Sequence, residues 1–180
     1  MVCGFDDVIA TFSPTSAFVS VIAWPAVAAF AAGVGVTPVR AMLEDNVFTT
    51  AKWLNASAAN QATATKFLKA SFQGWIYCRD NQAACVNFTL KAGPTLPKGH
   101  QTWMMNEINP LIWPSEAGIG MMDADLWQQT VDISVDAGII GEAPPEDAYR
   151  TDLAEAAHEG IDGDINGSGF QKGTVEVTPG

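Results

Sequence analysis

Residues 64 to 90, ATKFLKASFQGWIYCRDNQAACVNFTL, constrain this chain more than any other stretch. Leu68, Phe72, Trp75 and Ile76 recur at helical spacing, while Lys66, Lys69, Gln73 and Arg79 fall largely on the other side. That is the pattern of a helix with one face turned to a core. The pattern stops at Arg79-Asp80-Asn81, where Asn81 can cap a second helix. The second helix meets Gly93-Pro94, a residue suited to left-handed backbone followed by one that cannot extend a helix. The spacing predicts two helices joined by a polar turn of about three or four residues. Cys78 then ends the first helix and Cys85 lies in the first turn of the second. On one unbroken helix seven residues of rise would hold them about 10 Å apart, beyond disulfide reach. A Cys78–Cys85 bridge therefore requires the chain reversal. No second Cys or His pair follows at ligand spacing, so these residues read as a structural disulfide and not as a zinc site.

The charge balance bounds the partners. Nine Lys and Arg against 20 Asp and Glu give a net charge of -11 and a pI near 4.3. A phosphate backbone is held largely by cationic side chains, so a nucleic-acid partner is not expected. The acidic residues concentrate after Glu107, which gives a solvated surface. The length suits one domain of ordinary size.

Residues 17 to 39, AFVSVIAWPAVAAFAAGVGVTPV, carry no charge. The run is long enough to cross a bilayer, but Pro25, Gly33, Gly35 and its many alanines weaken it, and a buried or poorly packed segment is favoured over a membrane anchor. Asp6 and Asp7 stand ahead of it with no Lys or Arg, so no signal peptide is recognised. From Arg40 the texture changes. Val47 to Thr50 suits a short strand, Lys52-Trp53-Leu54 a short helix, and Asn55 to Asn60 a polar break before the helical pair.

After the rigid connector Gly93 to Pro97, a third helix begins at Lys98 with Trp103, Met104, Ile108, Leu111 and Ile112 as its apolar face. Pro110 is expected to kink it or end it near Asn109. Trp113 to Gly120 reads as a loop, and Asp123 or Asp125 caps a fourth helix that buries Trp127, Val131, Ser134 and Val135 and stops at Gly138. Pro144 to Asp147 opens a helical turn around Tyr149, and Asp152 with Glu155 has capping-box spacing for a last helix to His158 or Glu159. Residues 161 to 180 read as a Gly- and Asp-rich flexible tail.

Asp162-Gly163-Asp164-Ile165-Asn166-Gly167 matches the first half of a calcium loop, but Gly173 stands where a bidentate Glu belongs, so a plain acidic loop is expected and no metal. His100 and His158 lack ligand partners at helical spacing apart from Glu155, one turn before His158, and His158 suits a helix C-terminus more simply. No phosphate loop, nucleophile elbow or HExxH appears, so the chain reads as no enzyme and needs no cofactor. Among the six tryptophans, Trp75, Trp103 and Trp127 lie on helical apolar faces. Trp53 and Trp113 sit at element boundaries beside polar residues, where a ring can stack on a ligand, although structural packing is the favoured reading of each.

Three segments resemble one family: AMLEDNVFTTAKWL at 41 to 54, FLKASFQGWIYCRDN at 67 to 81, and NEINPLIWPSEAGIGMMDADLWQQTVDISVDAGII at 106 to 140. They are similar to the C-terminal half of the solute-binding proteins of ABC importers for sulfonates, taurine, nitrate, riboflavin and thiamine pyrimidines. The resemblance implies an α/β type II periplasmic binding protein fold, of which this chain is a fragment, mainly α-helical with one or two short strands. Its organisation would be an atypical apolar segment over 1 to 39, the C-terminal part of a solute-binding protein over 40 to 160, and the tail. The implied function is capture of a small organic or anionic solute for an ABC permease, in a periplasmic or extracellular, membrane-associated parent. Glu44 and Asp45 would accept hydrogen bonds from the solute, and Trp113 would stack on it. The alternatives are a fragment of the related thiamine pyrimidine synthase, which uses pyridoxal phosphate and iron, or a non-functional gene remnant. A partial core would leave faces such as those of Phe72 and Trp103 without partners, so a marginally stable chain prone to association is expected.

Overall fold

The computed structural model describes residues 19–20, 47–145 and 148–176, and over these the chain is mainly helical. The expectations for the rest of 1 to 39 and for Glu146 and Asp147 lie outside the described residues. The chain divides into two compact units, Met1–Ala64 with Met122–Thr151, and Thr65–Met121 with Asp152–Gly180.

In the first unit β1 (Val19–Ser20) pairs antiparallel with β2 (Val47–Phe48). β2 is shorter than the β-branched run 47 to 50 predicts, because Thr50 leaves the strand to cap α1 (Ala51–Leu54), its hydroxyl accepting from the Trp53 N–H at 3.2 Å. The polar break is also shorter than expected. Ser57 accepts from the Asn60 N–H at 3.2 Å, and α2 (Ala58–Asp80) starts there, well before the apolar stripe begins at Leu68. α5 (Ala124–Asp136) starts at Asp123, whose carboxylate accepts from the Asp125 and Leu126 N–H groups at 2.9 Å. It ends in a Schellman motif, with the Gly138 N–H on the Val135 carbonyl and the Ile139 N–H on that of Ser134. Val131 and Ser134 are buried, whereas Trp127 is half-buried with its ring tilted against Tyr149, centroids 5.0 Å apart.

The second unit is organised by the remainder of α2. Phe72 and Ile76 are buried and join Trp113, Ile119, Ala154 and Ala157 in a core against which Leu68 and Trp75 also pack. Phe72, expected to lack a partner, is therefore covered by its own chain; its ring lies 5.4 Å from that of His158. A single residue, Asn81, separates α2 from α3 (Gln82–Ala92), against a predicted turn of three or four. It suffices because both its backbone and side-chain N–H groups donate to the Tyr77 carbonyl, at 2.8 and 3.0 Å. α4 (Lys98–Ile112) corrects two expectations. Of the two outcomes expected at Pro110, the stop near Asn109 does not occur and the helix runs on to Ile112; its buried residues are Asn106 and Asn109, while Leu111 is exposed. The Asn109 amide nitrogen donates to the Met105 carbonyl one turn back, at 2.9 Å, while its Oδ1 is buried with no hydrogen-bond partner among the described residues. α6 (Asp152–His158) takes Asp152 into its first turn and not as its cap.

The Gly- and Asp-rich stretch after Gly160 is docked over residues 161–170, where a flexible tail is expected. Ile161, Ile165 and Phe170 pack against the core, and the Ile119 N–H and Ser115 N–H donate to the carbonyls of Ile165 and Asn166 at 3.0 and 2.8 Å. Apolar side chains at these three positions outweigh the local composition. No helix among the described residues is long and apolar enough to cross a membrane.

Candidate functional site

Of the residues expected to meet a ligand, Glu44 and Asp45 lie outside the described residues. Trp113 lies within them, and it is not available for stacking. It follows α4 directly, is only 2% exposed, and belongs to the core. The guanidinium carbon of Arg79 stands 4.7 Å above its ring centroid, a cation–π arrangement that takes the face a flat ligand would need. Gly167 closes in as well: a Cβ there would stand 2.9 Å from indole Cδ2, and its φ of +60° favours glycine. The position beside polar residues that suggests a cleft is instead the edge of a core sealed by a charged side chain.

Arg79 is the organising residue that sequence reasoning missed. Its side chain is 8% exposed. Its Nε and Nη2 donate to the two carboxylate oxygens of Asp80 at 2.8 and 3.1 Å, and its Nη1 donates to the Asp164 carbonyl at 2.7 Å. The Asp80 bond holds the guanidinium above its ordinary range against the cost of burial, and the same bond holds the Asp80 carboxyl below its own. The available signal is its place directly after Cys78 at the end of α2, where a long side chain can turn back over the adjacent core.

The half calcium loop is used internally. Oδ1 of Asp164 accepts from the Asn166 and Gly167 N–H groups, both at 3.0 Å, and its Oδ2 faces Arg79 at 3.9 Å. Asn166 donates to the carbonyls of Ser115 and Glu116 at 3.0 and 2.7 Å. Oxygen and amide groups that resemble cation ligands thus tie residues 161–170 to the loop after Trp113. His158 serves the same join, its Nε2 lying 2.7 Å from the Ile119 carbonyl.

Two recesses flank this assembly. A polar one of about 310 Å³ is lined by Arg79, Asp80, Gln82, Asp164, Phe170 and Gln171. An apolar groove of about 370 Å³ runs between α2, α3 and α4, lined by Gly74, Trp75, Phe88, Met105 and the Cys78–Cys85 pair. Those cysteines are bonded, with Cα atoms 5.5 Å apart. Comparison of the chain with family models, with curated proteins and with solved structures finds no match.

Proposed function

We propose that the chain carries the C-terminal half of an extracytoplasmic solute-binding component, of type II periplasmic binding protein fold, that delivers a small organic or anionic solute to an ABC permease. The reading starts from the three resembling segments, and the observation that supports it best is the Cys78–Cys85 bond within the second of them and just beyond it. Such bonds persist in oxidising compartments, whereas a cytosolic synthase keeps its thiols reduced. With the Trp113 face taken by Arg79, direct solute contact falls to Glu44 and Asp45, as hydrogen-bond acceptors.

Isothermal titration of the chain with taurine, nitrate, riboflavin and a hydroxymethylpyrimidine tests this. Saturable binding of one of the four is expected, weakened at least about tenfold by the combined substitutions Glu44→Gln and Asp45→Asn, which remove charge-assisted bonds. Binding of none of them would overturn the proposal.

A further inference from the structure

We propose that the Cys78–Cys85 bond is a redox-controlled latch, which when oxidised lets Arg79 clamp residues 161–170 beside Trp113 and when reduced releases them. The inference does not depend on the solute-binding reading.

Arg79 sits on the last turn of α2, one residue after Cys78, and the disulfide ties that turn to the first turn of α3. Helix ends carry carbonyls without intrahelical partners and open before the middle does. Here the opening turn would carry Arg79 with it. That one side chain reaches Asp80, the Asp164 carbonyl and the Trp113 ring, so its withdrawal opens the indole face it covers and removes one of the ties on the 161–170 segment. The remaining ties are the side-chain bonds from Asn166, the backbone bonds from Ser115 and Ile119 to the Asn166 and Ile165 carbonyls, and the contacts of Ile161, Ile165 and Phe170 at the core edge. The bond is also placed to be reached. Cys85 is buried, but Cys78 is half-buried, and both line the open groove beside Phe88.

The step balances with a dithiol reductant. One thiolate of the dithiol attacks the Cys78 sulfur, forming a mixed disulfide and expelling Cys85 as its thiolate, which takes a proton. The second thiol then displaces Cys78, so the protein gains two electrons and two protons while the dithiol becomes a disulfide.

Hydrogen exchange read by mass spectrometry on the full chain tests the proposal, comparing the oxidised protein, the same protein in excess dithiothreitol, the Cys78→Ser, Cys85→Ser double variant, and Arg79→Gln. The amides of Asn166 and Gly167, bonded to Asp164, and of Ile119, bonded to Ile165, report the latch. Exchange at these positions is expected to speed up, on reduction and in the double variant, at least about tenfold more than it does in α4 and α6, whose exchange follows the loss of global stability alone. Arg79→Gln should give the fast rate whether oxidised or reduced. Unchanged exchange on reduction, an equal rise of exchange in α4 and α6, or a protected segment in Arg79→Gln would each overturn it.

Discussion

Arg79 carries a charge that its helical position would place in water, yet its side chain is more than nine-tenths covered and its guanidinium has partners on several sides. Replacing it by Gln leaves Asp80 and the Asp164 carbonyl without their donor and opens the face of Trp113. A loss of about 1.5–3 kcal/mol is expected in urea denaturation, the range for bonds to a charged group. The same residue sets a pH dependence. Asp80, bonded to Arg79, and Glu107, bonded to Lys172, both hold their protons less tightly than free carboxyls. A depressed folded pKa gives stability that is present above the unfolded value and is lost as pH falls through the folded one. Stability should therefore be flat on this account from neutral pH to about pH 5 and fall below about pH 4. Both carboxylates are substantially exposed, so the effect is small and shrinks in salt. A denaturation series across pH checks this, and Arg79→Gln should flatten part of it.

Among the elements, α2 and α3 allow two opposed tests. Gly74 lies in the middle of α2, and a Cβ built there meets nothing within 4 Å. Gly74→Ala should therefore raise stability by about 0.5–1 kcal/mol, the difference in helix propensity, read as a rise in thermal midpoint. Removing the disulfide by Cys78→Ser with Cys85→Ser should cost about 2–3 kcal/mol, because the loop it closes is short. The α2 stripe, the Asp123 cap and the stop at Gly138 were legible in the sequence because each is set by residues within a turn or two. What was not legible depends on distant partners or on polar residues. α4 buries Asn106 and Asn109, which no search for apolar periodicity would select. Residues 161–170 look flexible from composition, and their order comes from carbonyls about 50 positions away in the chain. The choice between packing and stacking at Trp113 is not decided by the sequence for the same reason: nothing beside it announces that Arg79, on another helix, covers its ring.

For the whole molecule, two opposing terms decide whether copies associate. A single exposed apolar residue is ordinary. Phe88 and Tyr77, however, are 61% and 46% exposed, and their rings stack at 6.5 Å on adjoining helices. Phe88 also borders the groove lined by Trp75 and Met105, so the apolar surface is continuous there. Against this stands a net charge of -11, which drives copies apart over a distance that salt shortens from about 30 Å at 0.01 M to about 8 Å at 0.15 M. Burial of the aromatic patch is little affected by such screening, so the balance shifts toward association as salt rises. In sedimentation velocity the average mass should climb above the 19.1 kDa of one chain with protein concentration, and more steeply at 0.15 M than at 0.01 M salt. Phe88→Glu removes the most exposed ring and adds a negative charge at the same point, and should hold the protein near monomer mass with its helical circular dichroism unchanged. A monomer at every salt concentration before substitution would show that the patch is too small to overcome the repulsion.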